Sequence, residues 1–127
     1  MAAGTTGAMA STLQTDRHIS VEKWPIIVEF DVIPDRAEDF VRMFNAEFVP
    51  RSRAESGCEL YELWRDPGNP SRLTVVERWT TKSHHDAHLE AKWFKEWSPV
   101  MESYQAAPLV IRWMEATELA SVQVCRP

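Results

Sequence analysis

The stretch CELYELWRDPGNPSRLTVVERW, Cys58 to Trp79, decides the fold. Cys58 to Arg65 is a run rich in apolar and aromatic residues, and Arg72 to Trp79 is β-branched and apolar. Both read as strands. Between them, Asp66-Pro67-Gly68-Asn69-Pro70 is a dense cluster of turn formers, so the two strands form a hairpin closed by about five residues. Side chains alternate across a strand, which puts Leu73, Val75, Glu77 and Trp79 on one face and Thr74, Val76 and Arg78 on the other.

Upstream of the hairpin, Ile26 to Ile33 follows Pro25, stops at Pro34 and reads as strand 1. Residues 26, 28, 30 and 32 give it one wholly apolar face; Glu29 and Asp31 lie on the other. Ala37, Phe40, Val41, Phe44 and Phe48 then recur at helical spacing, predicting helix 1 over about 36–54, with Asp35 as a cap, a disturbance at Pro50 and an end at Gly57. Downstream, Thr81-Lys82-Ser83 opens a helix to about Glu90, and a second helical stretch runs from about Ala91 to Tyr104, interrupted by Pro99. Leu109 to Ala116 reads as strand 4. The order β-α-β-β-α-β is the split, ferredoxin-like α+β pattern: a four-stranded antiparallel sheet with helices on one face. Its other face is too apolar to stay bare, so the expected assembly is a homodimer in which two sheets pack as a dimeric α+β barrel.

The 127 residues suit one domain, with 44% hydrophobic and 26% charged residues. The expected division is a disordered leader at 1–20, the domain at 21–118 and a tail at 119–127. A net charge of −5 argues against nucleic acid and anionic membranes as partners. No apolar run is long enough to span a bilayer. Cys58 and Cys125 read as free thiols, which fits the cytoplasm. Six tryptophans suit either a core and interface of large rings or an aromatic pocket.

Glu77, Trp79 and His88 stand out. If the Glu77 face looks towards the helices, its carboxylate lies in an apolar layer and needs a partner, and His88 on the next helix is a candidate. A histidine held by a carboxylate moves protons near neutral pH; the same pair also reads as a structural strand-to-helix hydrogen bond. In His84-His85-Asp86-Ala87-His88 the outer histidines share a helix face, but the metalloprotease glutamate is absent and no third ligand is near, so no metal is assigned. Phe40, Phe44 and Phe48 read as core. There is no phosphate loop, dinucleotide fingerprint or nucleophile elbow, and no cofactor is expected.

In order and spacing, Ile33-Pro34-Asp35, Glu55-Ser56-Gly57-Cys58, Val76-Glu77-Arg78-Trp79 and Asp86-Ala87-His88-Leu89 resemble the antibiotic-biosynthesis-monooxygenase superfamily, most of all its quinol-monooxygenase-like branch. The resemblance spans about residues 25–116. It implies a dimeric barrel with one pocket per subunit between sheet and helices, and, in some members, oxidation of phenols, anthrones or quinols by O2 without metal or flavin. Trp79 matches a pocket tryptophan of the family, and His88, Glu29 and Glu77 match the quinol branch. Trp93 stands where that branch often has a second histidine. Val75 and His85 stand where an anthrone-oxidising relative has Asn and Tyr. Glu29, His88 and Ser98 replace the asparagine, tryptophan and iron-binding histidine of haem-degrading members, which argues against haem degradation.

These readings combine into a cofactor-independent monooxygenase acting on a small aromatic hydroxyl compound with O2. His88 is its expected base and Glu77 the residue that tunes it. Trp79, Trp93, Phe44, Glu29 and His85 are expected to line the substrate. The alternatives are a dimeric small-molecule-binding or stress-associated module without turnover, and an isomerase acting on a small oxo compound.

Overall fold

A computed structural model of the chain describes residues 22–117; the expected leader and most of the tail lie outside this range. Strand β1 (Glu22–Asp31) leads into a helical run over 34–53, called α1. Strands β2 (Cys58–Asp66) and β3 (Asn69–Trp79) form the hairpin. Helices α2 (Lys82–Glu90) and α3 (Lys92–Glu102) follow, then β4 (Val110–Trp113) and a short β5 (Ala116–Thr117). The sheet is antiparallel in the order β2-β3-β1-β4, with β5 on the start of β1. This is the ferredoxin-like α+β architecture expected from the element order.

The alternation seen in the sequence sets the layers. Ile26, Val28 and Phe30 of β1 and Leu73, Val75, Glu77 and Trp79 of β3 are all buried beneath the helices. Phe40, Phe44 and Phe48 descend onto them from α1, with the Phe44 and Phe48 rings stacked 4.7 Å apart. Burial of these rings is the largest source of stability in a domain of this size.

Prolines account for most departures from expectation. Strand β1 begins before Pro25 rather than after it. Pro25 is tolerated because the regular β4 ladder stops at Ile26↔Trp113; beyond it the Pro25 carbonyl still accepts from the Met114 N–H at 3.4 Å. Helix α1 is loosened near Pro50, as the sequence suggests: Phe44–Phe48 widens into a π-helical turn before Val49–Arg53 resumes, which absorbs the ring of Pro50 and the N–H it lacks. Pro99 does not break its helix; it sits inside α3 on the exposed side, where water can reach the unpaired carbonyl. The break falls at Ala91, whose extended backbone (φ −62°, ψ 138°) ends α2 and starts α3. The hairpin loop is two residues rather than five: Asp66 pairs with Asn69, and the Gly68 N–H donates to Asp66 Oδ1 at 2.8 Å. Strand 4 is interrupted at Met114–Glu115, so Ala116 belongs to β5.

Candidate functional site

Helix α2 carries the site because its start is well anchored. Thr81 caps it, its Oγ1 accepting from the His84 N–H at 3.3 Å. His85 and His88 are three residues apart and both turn inward, 6% and 2% exposed. Beneath them lies Glu77 of β3, 5% exposed.

The carboxylate that holds His88 is Glu55, not Glu77. His88 Nδ1 lies 2.6 Å from Glu55 Oε1, and Trp93 Nε1–H donates to Glu55 Oε2 at 3.0 Å. An ionised carboxylate only accepts, so the Nδ1 proton sits on the Glu55 side and Nε2 keeps a bare lone pair. That Nε2 has no hydrogen-bond partner among the described residues, and His88 lines an apolar cavity. The rings of Trp79 and Phe94 flank the imidazole at 4.8 and 4.7 Å. Burial pushes the His88 pKa down, and the Glu55 contact offsets this only in part. His88 is thus a neutral, oriented acceptor at neutral pH.

Glu77 has a different environment. Its Oε1 accepts from Trp79 Nε1–H at 2.9 Å, and His85 Nε2 is 3.9 Å away. Burial raises its pKa from 4.5 to about 7; the Trp79 bond opposes this and the Glu55 charge adds to it. Burial, with the neighbouring His88, lowers His85 to about 4. Near neutral pH Glu77 is therefore poised between its protonated and ionised forms, while the His85 imidazole is neutral. The cavity thus brings together a bare base, His88, and a carboxyl that can hold or give a proton, Glu77. Environments that push two groups apart in this way fit acid–base chemistry.

The cavity measures about 90 Å³. Phe44, Tyr61, Phe94 and Met101 supply apolar walls. Of the residues expected from sequence, His88, Glu77, His85 and Phe44 meet there. Trp79 and Trp93 do not line it; their indole N–H groups position Glu77 and Glu55 instead. Glu29 does not belong to the site. It lies on the opposite sheet face, where Arg112 holds it at 3.2 Å, because it alternates with the buried Ile26, Val28 and Phe30. Cys58 is no thiolate nucleophile: burial, with the charges of Glu77 and Glu55, raises its pKa to about 11. Among the described residues, no group of three or more His, Cys, Asp or Glu is placed to hold a metal ion.

Glu55, Tyr61 and Phe94 carry no role in the sequence reading. The one sequence signal for Glu55 is its place in Glu55-Ser56-Gly57-Cys58, part of the family resemblance; what brings it to His88 is the pairing of Cys58 with Trp79 at the end of β3, beside α2. Gly57 makes that turn possible. Its φ is +82°, its carbonyl accepts from the Thr80 N–H at 2.8 Å, and an added Cβ would fall 2.2 Å from His84 Cγ. Gly57→Ala is expected to destabilise the protein by about 2 kcal/mol in urea unfolding and to loosen the Glu55–His88 contact, since both the backbone and α2 must shift. An unchanged midpoint would show that the turn is not constrained.

Comparison with known proteins completes the picture. In structure the chain is similar to a conserved protein from Methanosarcina mazei Go1, 21% identical, with a TM-score of 0.71 over 77% of this chain and 96% of that one. A candidate antibiotic biosynthesis monooxygenase from Caulobacter crescentus CB15 is 21% identical, with a TM-score of 0.71 over 83% and 99%. A Pseudomonas aeruginosa protein is 25% identical, with a TM-score of 0.64 over 81% and 99%. These likenesses carry the fold. No functionally curated protein matches in sequence. Residues 26–100, more than half of the chain and all of the site described above except its α3–β4 end, match the antibiotic biosynthesis monooxygenase profile, and the chain belongs to that family.

Proposed function

We propose that the protein is a cofactor-independent monooxygenase for a small, single-ring aromatic hydroxyl compound of the quinol type, with O2 as the oxidant. The observation that carries this reading is His88, with Nδ1 fixed by Glu55 and Nε2 left bare at the wall of an apolar cavity. His88 Nε2 takes the hydroxyl proton. The phenolate is then electron-rich enough to pass one electron to O2, and the resulting pair combines into a ring peroxide that takes back the proton held by His88. Loss of water breaks the O–O bond, with the C–H proton at that ring carbon passing to His88, and leaves a ring carbonyl, so one oxygen atom ends in the product and one in water. Protonated Glu77 suits the water-forming step, because it can supply the proton that the departing oxygen needs. Apolar walls keep the charged intermediates from bulk water. A cavity of about 90 Å³ is well below the range of roughly 300–1,000 Å³ that larger ligands fill, which favours one ring over a fused anthrone.

The test is oxygen consumption by the purified, metal-free protein with a panel of quinols, catechols and anthrones. Uptake above autoxidation with single-ring quinols is the expected result. Absence of uptake across the panel would overturn the oxygenase reading. Isomerisation of an oxo compound by the same His88 and Glu77 would then be the reading to test.

The uncovered sheet face supports the homodimer. Ile27, Leu60 and Val76 are half-buried there, and Trp64 is 56% exposed. Light scattering is expected to give twice the chain mass, and Val76→Glu, which places a charge in the middle of that face, is expected to give a monomer. The half-buried free thiol of Cys58 fits the reducing cytoplasm. Among the described residues, no helix is long and apolar enough to cross a membrane.

A further inference from the structure

A second depression, of about 320 Å³, adjoins the cavity and is lined by Trp24, Lys82, His85, Asp86, Leu89 and Trp113. Three of these residues, His85, Leu89 and Trp113, also line the inner cavity, so these side chains stand between the two. Leu89 and Trp113 are 39% and 60% exposed, an unusual degree of exposure for large apolar side chains that face the helix side of a sheet. The two charges in the depression cancel, since Lys82 Nζ lies 2.8 Å from Asp86 Oδ2. Trp24 contributes an indole N–H that is buried yet has no hydrogen-bond partner among the described residues. A buried donor left unpaired is costly, and a ligand oxygen would satisfy it.

We propose that this depression is the second half of the substrate site and takes an uncharged, mainly apolar side chain of the aromatic hydroxyl compound, with an oxygen acceptor that receives the Trp24 N–H. The proposal rests on the ring-binding reading of the inner cavity. Leu89 and Trp113 grip the chain where it leaves the ring. The matched Lys82–Asp86 pair leaves no net charge to recruit an ionised group. Trp24 sets the preference for a carbonyl or ether oxygen along the chain. Compounds that are only a bare ring fill half of the site.

Isothermal titration of the full-length protein under anaerobic conditions, which prevents turnover, tests this. The probes are hydroquinone, hydroquinone with a hexyl chain, and the same chain bearing a ketone. The hexyl compound is expected to bind about tenfold more tightly than hydroquinone, and the ketone compound about fivefold more tightly still. Trp24→Phe keeps the ring but removes the donor, and should reduce the ketone compound to the affinity of the hexyl one. Trp113→Ala, at an exposed position that does not threaten folding, should remove most of the gain from either chain. Chains that bring no gain while hydroquinone itself binds would overturn the second half-site and leave the ring site standing. Equal weakening of all three ligands by Trp24→Phe would assign Trp24 a purely structural role and overturn its part. Failure of hydroquinone to bind at all, with or without a chain, would sink the ring-site reading and this one with it.

Discussion

His88→Ala is expected to lower quinol-dependent oxygen uptake by about 10²–10⁴-fold, the usual contribution of a positioned general base. Uptake by the variant close to that of the wild type would remove His88 from the reaction. The loss should appear in kcat rather than in KM, because the apolar walls that hold the ring remain while the proton acceptor is gone. Glu55→Gln makes a subtler change. The amide can still meet Nδ1, but it can offer a donor as well as an acceptor, so the proton is no longer compelled to sit on the Glu55 side. A fraction of His88 then carries its proton on Nε2, where it cannot serve as a base, and a loss of about tenfold follows. A purely structural His88 would not produce this graded pair of effects. The pH profile adds a check. Because burial lowers the His88 pKa, its base form is present throughout the neutral range and fails only on the acid side of the ordinary histidine value.

Much of the fold follows from two periodicities. Alternation in Arg72–Trp79 places Glu77 and Trp79 beneath the helices, and the four-residue spacing of Phe40, Phe44 and Phe48 places α1 over them. His85 and His88 follow once Thr81 is recognised as the cap. Glu55 was not legible in this way. It sits in an irregular turn whose path depends on the left-handed backbone of Gly57 and on the pairing of Cys58 with Trp79, both of which are tertiary facts. Glu29 shows the opposite case. The alternation in β1 already set it apart from the apolar face, and the family likeness alone drew it into the site. Pro25 and Pro99 misled in one direction only. A missing N–H disrupts a helix strongly where water cannot replace the bond, but Pro99 is exposed, and a π-turn accommodates Pro50.

Glu77→Gln is expected to make the protein more stable above neutral pH while lowering its activity. The folded protein holds the Glu77 proton up to about pH 7, whereas the unfolded chain releases it near 4.5. Between those values the folded state binds more protons, so raising the pH removes stability; above about 7 both states are ionised and the loss is complete. At about 1.4 kcal/mol per pH unit, burying this carboxylate costs the folded state about 3 kcal/mol at alkaline pH. Glutamine carries no such cost and keeps an oxygen for the Trp79 N–H, which at present donates to Oε1. The stability difference between variant and wild type, from urea unfolding, should therefore grow by about 3 kcal/mol from about pH 4 to about pH 8. His85 and His88, whose lowered pKa values make the protein less stable on the acid side, are common to both proteins and largely cancel in the difference. A flat difference would mean that Glu77 ionises as an ordinary surface carboxylate does. The kinetic counterpart is the alkaline limb of the pH–rate profile. It should fall near pH 7 in the wild type, as Glu77 loses the proton needed in the water-forming step, and be absent from the slower variant. In the proposed reaction the buried acid that carries this cost supplies a proton, and the bare Nε2 of His88, lining the same cavity, accepts one.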